Sequence, residues 1–281
     1  MARAPKKTSE STAVANWDEE LARQAAIAEK MEANVGGGQF FSIRGGTLSF
    51  NDSPVPGNRM AVVIADHVLE NVYYEGDFDP NVLSPPTCFA FGRDEDDIAP
   101  HEVVVKAGQN QDDGAGACKG CPLNAWGTAD KGRGKACRNT RRLALIPAGQ
   151  FDSSGRFTAV TDVDHFQTSA LAYMKLPVTS VKGFASFVKS VAGSLRRPPH
   201  GIFTSIKVEP DPKNQVRVVF EPLSAVPNNL LAAIMKRHQE SQSTIGFPYN
   251  LERDEAPAAP AKRGRGKAAP AAPAKRAGRR Y

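Results

Sequence analysis

Three of the four cysteines in this 281-residue chain fall between positions 118 and 142, in CKGCPLNAWGTADKGRGKACRNTRR. Cys118 and Cys121 form a C-x2-C knuckle, and Cys137 follows after 15 residues. Two cysteines that close are poorly placed for a structural disulfide, but their sulfurs converge on one ion from a tight turn. A closed tetrahedral site needs a fourth ligand, and the remaining cysteine is Cys88, 29 residues upstream. The frame C-x29-C-x2-C-x15-C therefore reads as a Zn2+ site at Cys88, Cys118, Cys121 and Cys137. An iron–sulfur cluster also takes four cysteines, and spacing leaves it open. His101 is the nearest substitute should Cys88 not be a ligand. With four protein ligands the metal has no open position, so it staples a loop-rich region rather than catalysing a reaction.

Four thiolates around a divalent ion leave net negative charge, which nearby cations stabilise. Lys119, Lys131, Arg133, Lys135, Arg138, Arg141 and Arg142 supply them in this stretch, opposed by Asp130. The charge of the whole chain is arranged differently. Its net +6 resides in the tail, which from residue 256 onward carries eight Lys/Arg and no acid, against 28 basic and 30 acidic residues before it. Few cysteines, metal-type spacing and no apolar leader point to a reducing, cytoplasmic setting. No run of 18 apolar residues is present to span a membrane.

The chain divides into four parts. Residues 1–15 and the Ala/Pro-rich basic tail at 255–281 have compositions that do not bury a core and are expected to be disordered. Residues 16–38 read as an amphipathic helix, capped by Asn16 and Glu19 and closed by a triglycine linker. Residues 39–254 hold the remaining structure, with the four-cysteine metal loop at 88–137. QFFSIRGGTLSF, MAVVIADHVLENVYYEG, TCFAFG, EVVVKAG and RRLALIPAG read as strands, and HFQTSALAYMKLP contains another. VTSVKGFASFVKSVAGSL is an amphipathic helix capped by Thr179 or Ser180. GIFTSIKVEP and QVRVVFEPL form a hairpin through DPKN, and NNLLAAIMKRHQESQ is a helix capped by Asn228. Short strands at this spacing predict an α+β fold built on a small OB-like β-barrel, with a zinc-stapled loop and peripheral helices.

Glycines at 127, 132 and 134 let a backbone approach phosphates closely, and the cations around them neutralise phosphate with counterion release. Trp126 lies in the same loop, and Tyr73 and Tyr74 end a neighbouring strand. Cations interleaved with aromatics suit single-stranded nucleic acid, where charge tracks the backbone and rings stack on bases. The competing reading is that strand aromatics belong to the core.

C-x2-CPLN-x-WG followed by GRGKAC-RN-x-RRL, together with YYEGDFDP, PPTCFAFG and PVTSVKGF, resembles a signature of tailed-bacteriophage proteins over roughly residues 40–220. It is similar to the zinc-containing single-stranded DNA-binding proteins of such phages. That resemblance implies an OB-type barrel, the four cysteines as ligands, and the loop cations and Trp126 near the strand path. It also implies a non-enzymatic role in protecting or organising single strands during replication or recombination in a bacterial host, alongside other replication or recombination proteins. Two departures stand out. The family's metal site uses a histidine besides cysteines, and its members carry an acidic tail that recruits partners, whereas here the tail is basic.

Two rival readings remain. Asp94, Glu95, Asp96 and Asp97 form an acidic run suggestive of a metal-dependent or iron–sulfur nuclease, although such sites need carboxylates converging from several elements. A zinc-ribbon regulator or adaptor binding duplex DNA would need a recognition helix, for which Lys236, Arg237, His238 and Gln239 are the candidates.

Overall fold

The computed structural model describes residues 39–76, 84–130 and 132–251. The expected helix at 16–38, the basic tail and Lys131 lie outside the described residues.

In chain order, β1 (Gln39–Arg44) and β2 (Thr47–Phe50) form a hairpin, extended by the short β3 (Ser53–Pro54). The 15-residue β4 (Arg59–Tyr73) is followed by β5 (Cys88–Gly92), β6 (Ala99–Pro100) and α1 (Glu102–Lys106). Then come β7 (Arg138–Phe151), β8 (Phe157–Ala159), α2 (Val163–Thr168), β9 (Ala172–Lys175) and α3 (Val181–Ser190). A hairpin of β10 (Ile202–Asp211) and β11 (Gln215–Ala225) leads into α4 (Asn228–Thr244).

All the strands join one sheet with the path β11-β10-β4-β7-β9-β1-β2-β3; β5 pairs with β4, β6 with β5 and β8 with β7. Alternation along the strands sends successive side chains to opposite faces. Val62, Ile64, Leu143, Leu145 and Met174 meet Phe184 and Phe187 of α3 on one face. Val63, Ala65, Ala144, Ile146 and Tyr173 meet Phe166 of α2 and Leu230 and Ile234 of α4 on the other. The apolar run MAVVIA in β4 is thus buried on both sides, in a helix–sheet–helix sandwich. The α+β expectation holds.

The small OB-like barrel does not form among the described strands, because the path is open, with β11 and β3 at its ends. Strands that are apolar on both faces need cover on both faces. Helices supply it here, so closure of the sheet on itself is not required. EVVVKAG is also a correction: it forms α1, not a strand. His101 caps that helix by accepting from the Val103 N–H; the β-branched run yields to the local cap and to burial of Val104. Asn228 is the first residue of α4 rather than its cap, which is Pro227. Ser180 precedes α3, but its hydroxyl accepts from the Val218 N–H of the neighbouring hairpin instead of capping.

The β4–β7 ladder is bulged between Ile64 and Asp66, leaving Ala65 out of register. Before the bulge even-numbered β4 residues face α3; after it His67 does, with its ring 5.2 Å from Phe184. Beyond Ala65, therefore, Leu69, Asn71 and Tyr73 share the α3 face, while Val68, Glu70 and Val72 share the α4 face. No helix among the described residues is long and apolar enough to cross a membrane.

Candidate metal centre and surrounding surface

The far end of β4 carries the cysteine region. Tyr73 pairs with Cys88 at the start of β5. The knuckle turns at Gly120, whose φ of 86° suits glycine, and the Cys118 N–H is held by the Ile98 carbonyl at 2.8 Å. The Cys137 N–H bonds to Leu123 O at 2.9 Å and returns the loop to β7. Cys88, Cys118, Cys121 and Cys137 all line one cavity of about 20 Å³, together with Asn71, Asp112 and Asn124.

All four cysteines are unbridged. Among the described residues, no three His, Cys, Asp or Glu side chains are drawn in tightly enough to hold an ion as they stand. The thiols share cavity walls, and the Cys121 sulfur donates to the Gln111 carbonyl at 3.0 Å. Gln111 and Asn71 line the cavity beside these thiols, and Asn71 accepts from the Asn139 side-chain amide at 2.6 Å. Burial pushes the Cys118 thiol up to about 11 and the Cys137 thiol up to about 12, each reinforced by neighbouring cysteines. These thiols stay protonated near neutrality until a cation displaces the protons. The donor set fits a thiophilic ion, and the cavity has room for one water-sized sphere.

The loop from 122 to 137 is internally bonded. Gly127 N–H reaches Gly134 O at 2.9 Å, and the Thr128 hydroxyl accepts from Ala136 N at 3.0 Å while donating to Ala125 O at 2.8 Å. On it, Trp126 is 79% exposed. The Lys135 ammonium lies 5.7 Å from the indole centroid and donates to Asn124 Oδ1 at 3.1 Å. Asn124 in turn donates to the Cys118 carbonyl, so the tryptophan–lysine pair is tied to the knuckle. Arg133 is exposed on the same loop.

The other predicted cations divide. Lys119 is paired with Asp96 at 2.6 Å in the open, whereas Arg141, largely covered, reaches the exposed Glu95 at 3.7 Å. Arg138 is exposed, with its guanidinium 5.6 Å from the Tyr74 centroid on the α4 face. Tyr74 is half-buried, and Tyr73 lines the cysteine cavity. Arg142 is a correction. Only 4% exposed, it bonds Glu70 Oε1 at 3.0 Å and Phe247 O at 2.8 Å, and it lies between Phe91 and Phe247 at 4.1 and 4.2 Å. It holds the fold together and offers nothing to an external strand.

Around Arg142 lies a cluster absent from the sequence reading. Tyr249 donates to Glu70 Oε1. Lys175 donates to the Tyr249 hydroxyl at 3.1 Å and stands 3.9 Å from the same carboxylate. Among the described residues, Glu70 Oε2 is buried without a hydrogen-bond partner. Burial and its acidic neighbour push the Tyr249 hydroxyl far above the usual phenol range, so it remains a donor. Alternation along β9 puts Lys175 on the same side as Tyr173, but its partner Glu70 is too distant in sequence for any local pattern to reveal.

His101 does not line the cysteine cavity; it caps α1 and stacks on Phe89 at 5.1 Å. In the acidic run, Asp96 and Glu95 are engaged by Lys119 and Arg141, while Asp94 accepts from the Asp96 N–H. In α4, Arg237 donates to Ser169 O at 2.7 Å and His238 meets Ala65 O at 2.7 Å, both inward. A recognition helix needs those side chains free. Neither a protein-family model, nor a curated protein, nor a solved structure matches this chain.

Proposed function

We propose that this protein binds single-stranded nucleic acid without catalysing a reaction, on a surface displayed by a four-cysteine Zn2+ centre. The observation that carries the reading is Trp126: a large ring, 79% exposed, on a loop pinned by its own hydrogen bonds and accompanied by Lys135. Leaving such a ring in water is costly for folding and useful for stacking on bases. Cys88, Cys118, Cys121 and Cys137 would hold the ion. The cavity favours a single ion over an iron–sulfur cluster, which would have to expand the site by several atoms. Zinc supplies no reaction step here, only a cross-link between the start of β5, the knuckle and the start of β7.

Of the OB-like expectation, the reading keeps a bent, bulged antiparallel ladder that presents a loop, not a closed barrel. The resemblance of the cysteine motif to phage proteins is what supports a role in DNA replication or recombination. The duplex-binding and nuclease readings lose support because Arg237 and His238 point inward and two of the four acids, Glu95 and Asp96, are held in ion pairs.

The test is a titration of full-length protein against single- and double-stranded oligonucleotides. Single strands should bind more tightly, and Trp126→Ala should cost about 1–3 kcal/mol of that binding with an unchanged melting temperature. Equal affinity for the two forms, or an unaffected Trp126→Ala variant, removes the proposal.

A further inference from the structure

From His165 to Val208 the chain holds six Lys/Arg and no Asp or Glu, although residues 1–255 are close to neutral, with 28 basic and 30 acidic residues. Three of the six, Lys182, Lys189 and Arg196, stand seven residues apart. Seven residues are close to two helical turns, so the three fall on one face at steps of roughly 10 Å.

The structure carries that spacing on a continuous helix. α3 runs on through a wider turn at Val191–Leu195 and stops at Arg196, whose backbone is left-handed at a φ of 50°. Phe184, Phe187 and Val191 bury the inner side in the core. Lys182, Lys189 and Arg196 are exposed, and none has an ion-pair partner among the described residues. Lys106, Lys119 and Arg217, exposed elsewhere on the body, are paired with Glu102, Asp96 and Glu209.

Between the three cations lie Ser186 and Gly193, both exposed, and the Ser186 hydroxyl donates back to the Lys182 carbonyl. A ligand therefore meets a low ridge of backbone set with positive charge. The ridge offers no ring to stack on a base, and its one large exposed apolar residue is Leu195, beside the last cation. A protein partner would need an apolar centre to its interface. A phosphate chain needs only cations and close approach.

The ridge stands on the same side of the sheet as the cysteine cavity. His67 packs against Phe184, and Asn71 and Tyr73, which line the cavity, follow on that face of β4. Tyr73 is six residues beyond His67, a distance of roughly 20 Å along the strand. We propose that Lys182, Lys189 and Arg196 form a phosphate-binding ridge for single-stranded nucleic acid, engaged by strands long enough to reach past the Trp126 loop. The inference rests on the proposed single-strand function and gives it a length dependence: short strands occupy the loop alone, and long ones span both.

The experiment uses the full chain in a Trp17→Phe background, so that Trp126 alone reports by fluorescence. Oligothymidylates of about 6 and about 30 nucleotides, near the lower end and beyond the upper end of ordinary site sizes, are titrated at several salt concentrations. The parent should show a steeper salt dependence with the long strand than with the short one. Replacing Lys182, Lys189 and Arg196 together with Gln should weaken long-strand binding about 10-fold or more. It should lower the slope of log affinity against log salt by about 2, at about 0.7 per phosphate on a single strand. Short-strand affinity and Trp126 quenching should be unchanged, and Lys189→Arg should bind like the parent. Lys189→Gln alone, expected to lower the long-strand slope by about 0.7, keeps the test informative if the triple variant perturbs folding. An unchanged long-strand slope in these variants, with Trp126 still quenched, would overturn the ridge alone. Equal weakening of short and long strands would do the same, because it reports a general loss of positive charge. So would loss of polyglutamate binding with the oligothymidylate slope intact, which would assign the ridge to an acidic protein. No quenching in the parent would overturn the single-strand function and the ridge with it.

Discussion

Arg141 and Arg142 are neighbours in sequence but stand on opposite faces of β7: the half-buried Arg141 reaches the exposed Glu95, and Arg142 is sealed against Glu70. One member of the doublet has a solvent-exposed partner and the other a buried one. Removing one partner of a buried pair leaves the other charged and desolvated, at a cost of about 3–5 kcal/mol. Arg142→Met should therefore lower the urea midpoint strongly, and Arg141→Met clearly less, because the Glu95 it would leave behind is exposed and stays hydrated. Adding Glu70→Gln to Arg142→Met should recover part of the loss, because the orphaned carboxylate is gone. Equal effects from the two arginine variants would refute this division.

Cys121→Ser removes one corner of the proposed centre. Purified parent protein should carry about one zinc per chain, as a closed four-ligand site requires, and the variant should carry little. The melting temperature should fall by about 6–12 °C, the shift produced by roughly 3 kcal/mol in a chain of this size. Elemental analysis and calorimetry check both. A chelator should reproduce the shift in the parent and add nothing in the variant.

Stability should also fall as the solution is acidified from neutrality. Burial pulls His67 below the usual imidazole range; burial and the adjacent His238, stacked at 4.3 Å, do the same for His200. The unfolded chain then binds more protons than the folded one once pH drops below about 6.5. The contribution of each neutral histidine is intact above that value and lost as pH descends toward the folded pKa. Chemical denaturation at pH 7 and pH 5 should show this slope, and His200→Gln should flatten it. An unchanged slope would exclude His200 as a source.

Gly149, where β7 meets β8, has no room for a side chain. An added Cβ would overlap the Thr158 carbonyl oxygen and the Phe157 ring. Backbone is one of the obstacles, so relief requires the strands to separate. Gly149→Ala should cost about 1–3 kcal/mol, read as a lower urea midpoint, while leaving the distant cysteine loop and its metal content intact.

The sequence carried the long strands and the cysteine frame because those signals are local or regularly spaced. MAVVIADHVLENVYY and RRLALIPAG could be read as strands from continuous apolar runs, and all four cysteines do line one cavity. Three features escaped for physical reasons. The valines of EVVVK favour a strand intrinsically, but the His101 cap and one buried valine decide for helix. The fates of Arg141 and Arg142 depend on side-chain parity, which the bulge at Ala65 resets on the facing strand. Lys175, Glu70 and Tyr249 meet only through tertiary structure. Closure of the sheet was misjudged because strand count and spacing do not reveal that helices cover both faces.

β4 has two different neighbours along one edge, β10 beside Arg59–Val63 and β5 beside Leu69–Tyr73, with the bulge between them. Its first half is clamped between two hydrophobic layers, while its second half depends on short strands and the cysteine loop. The strand therefore acts as a hinged beam with a fixed end and a releasable end. In hydrogen exchange the amides before Ala65 should open only with the whole molecule, whereas those after it should open on their own once the sulfurs lose their ion. Loss of the proposed metal would then melt the proposed binding rim and spare the scaffold, so that the metal-free chain stays folded and ready to take up an ion.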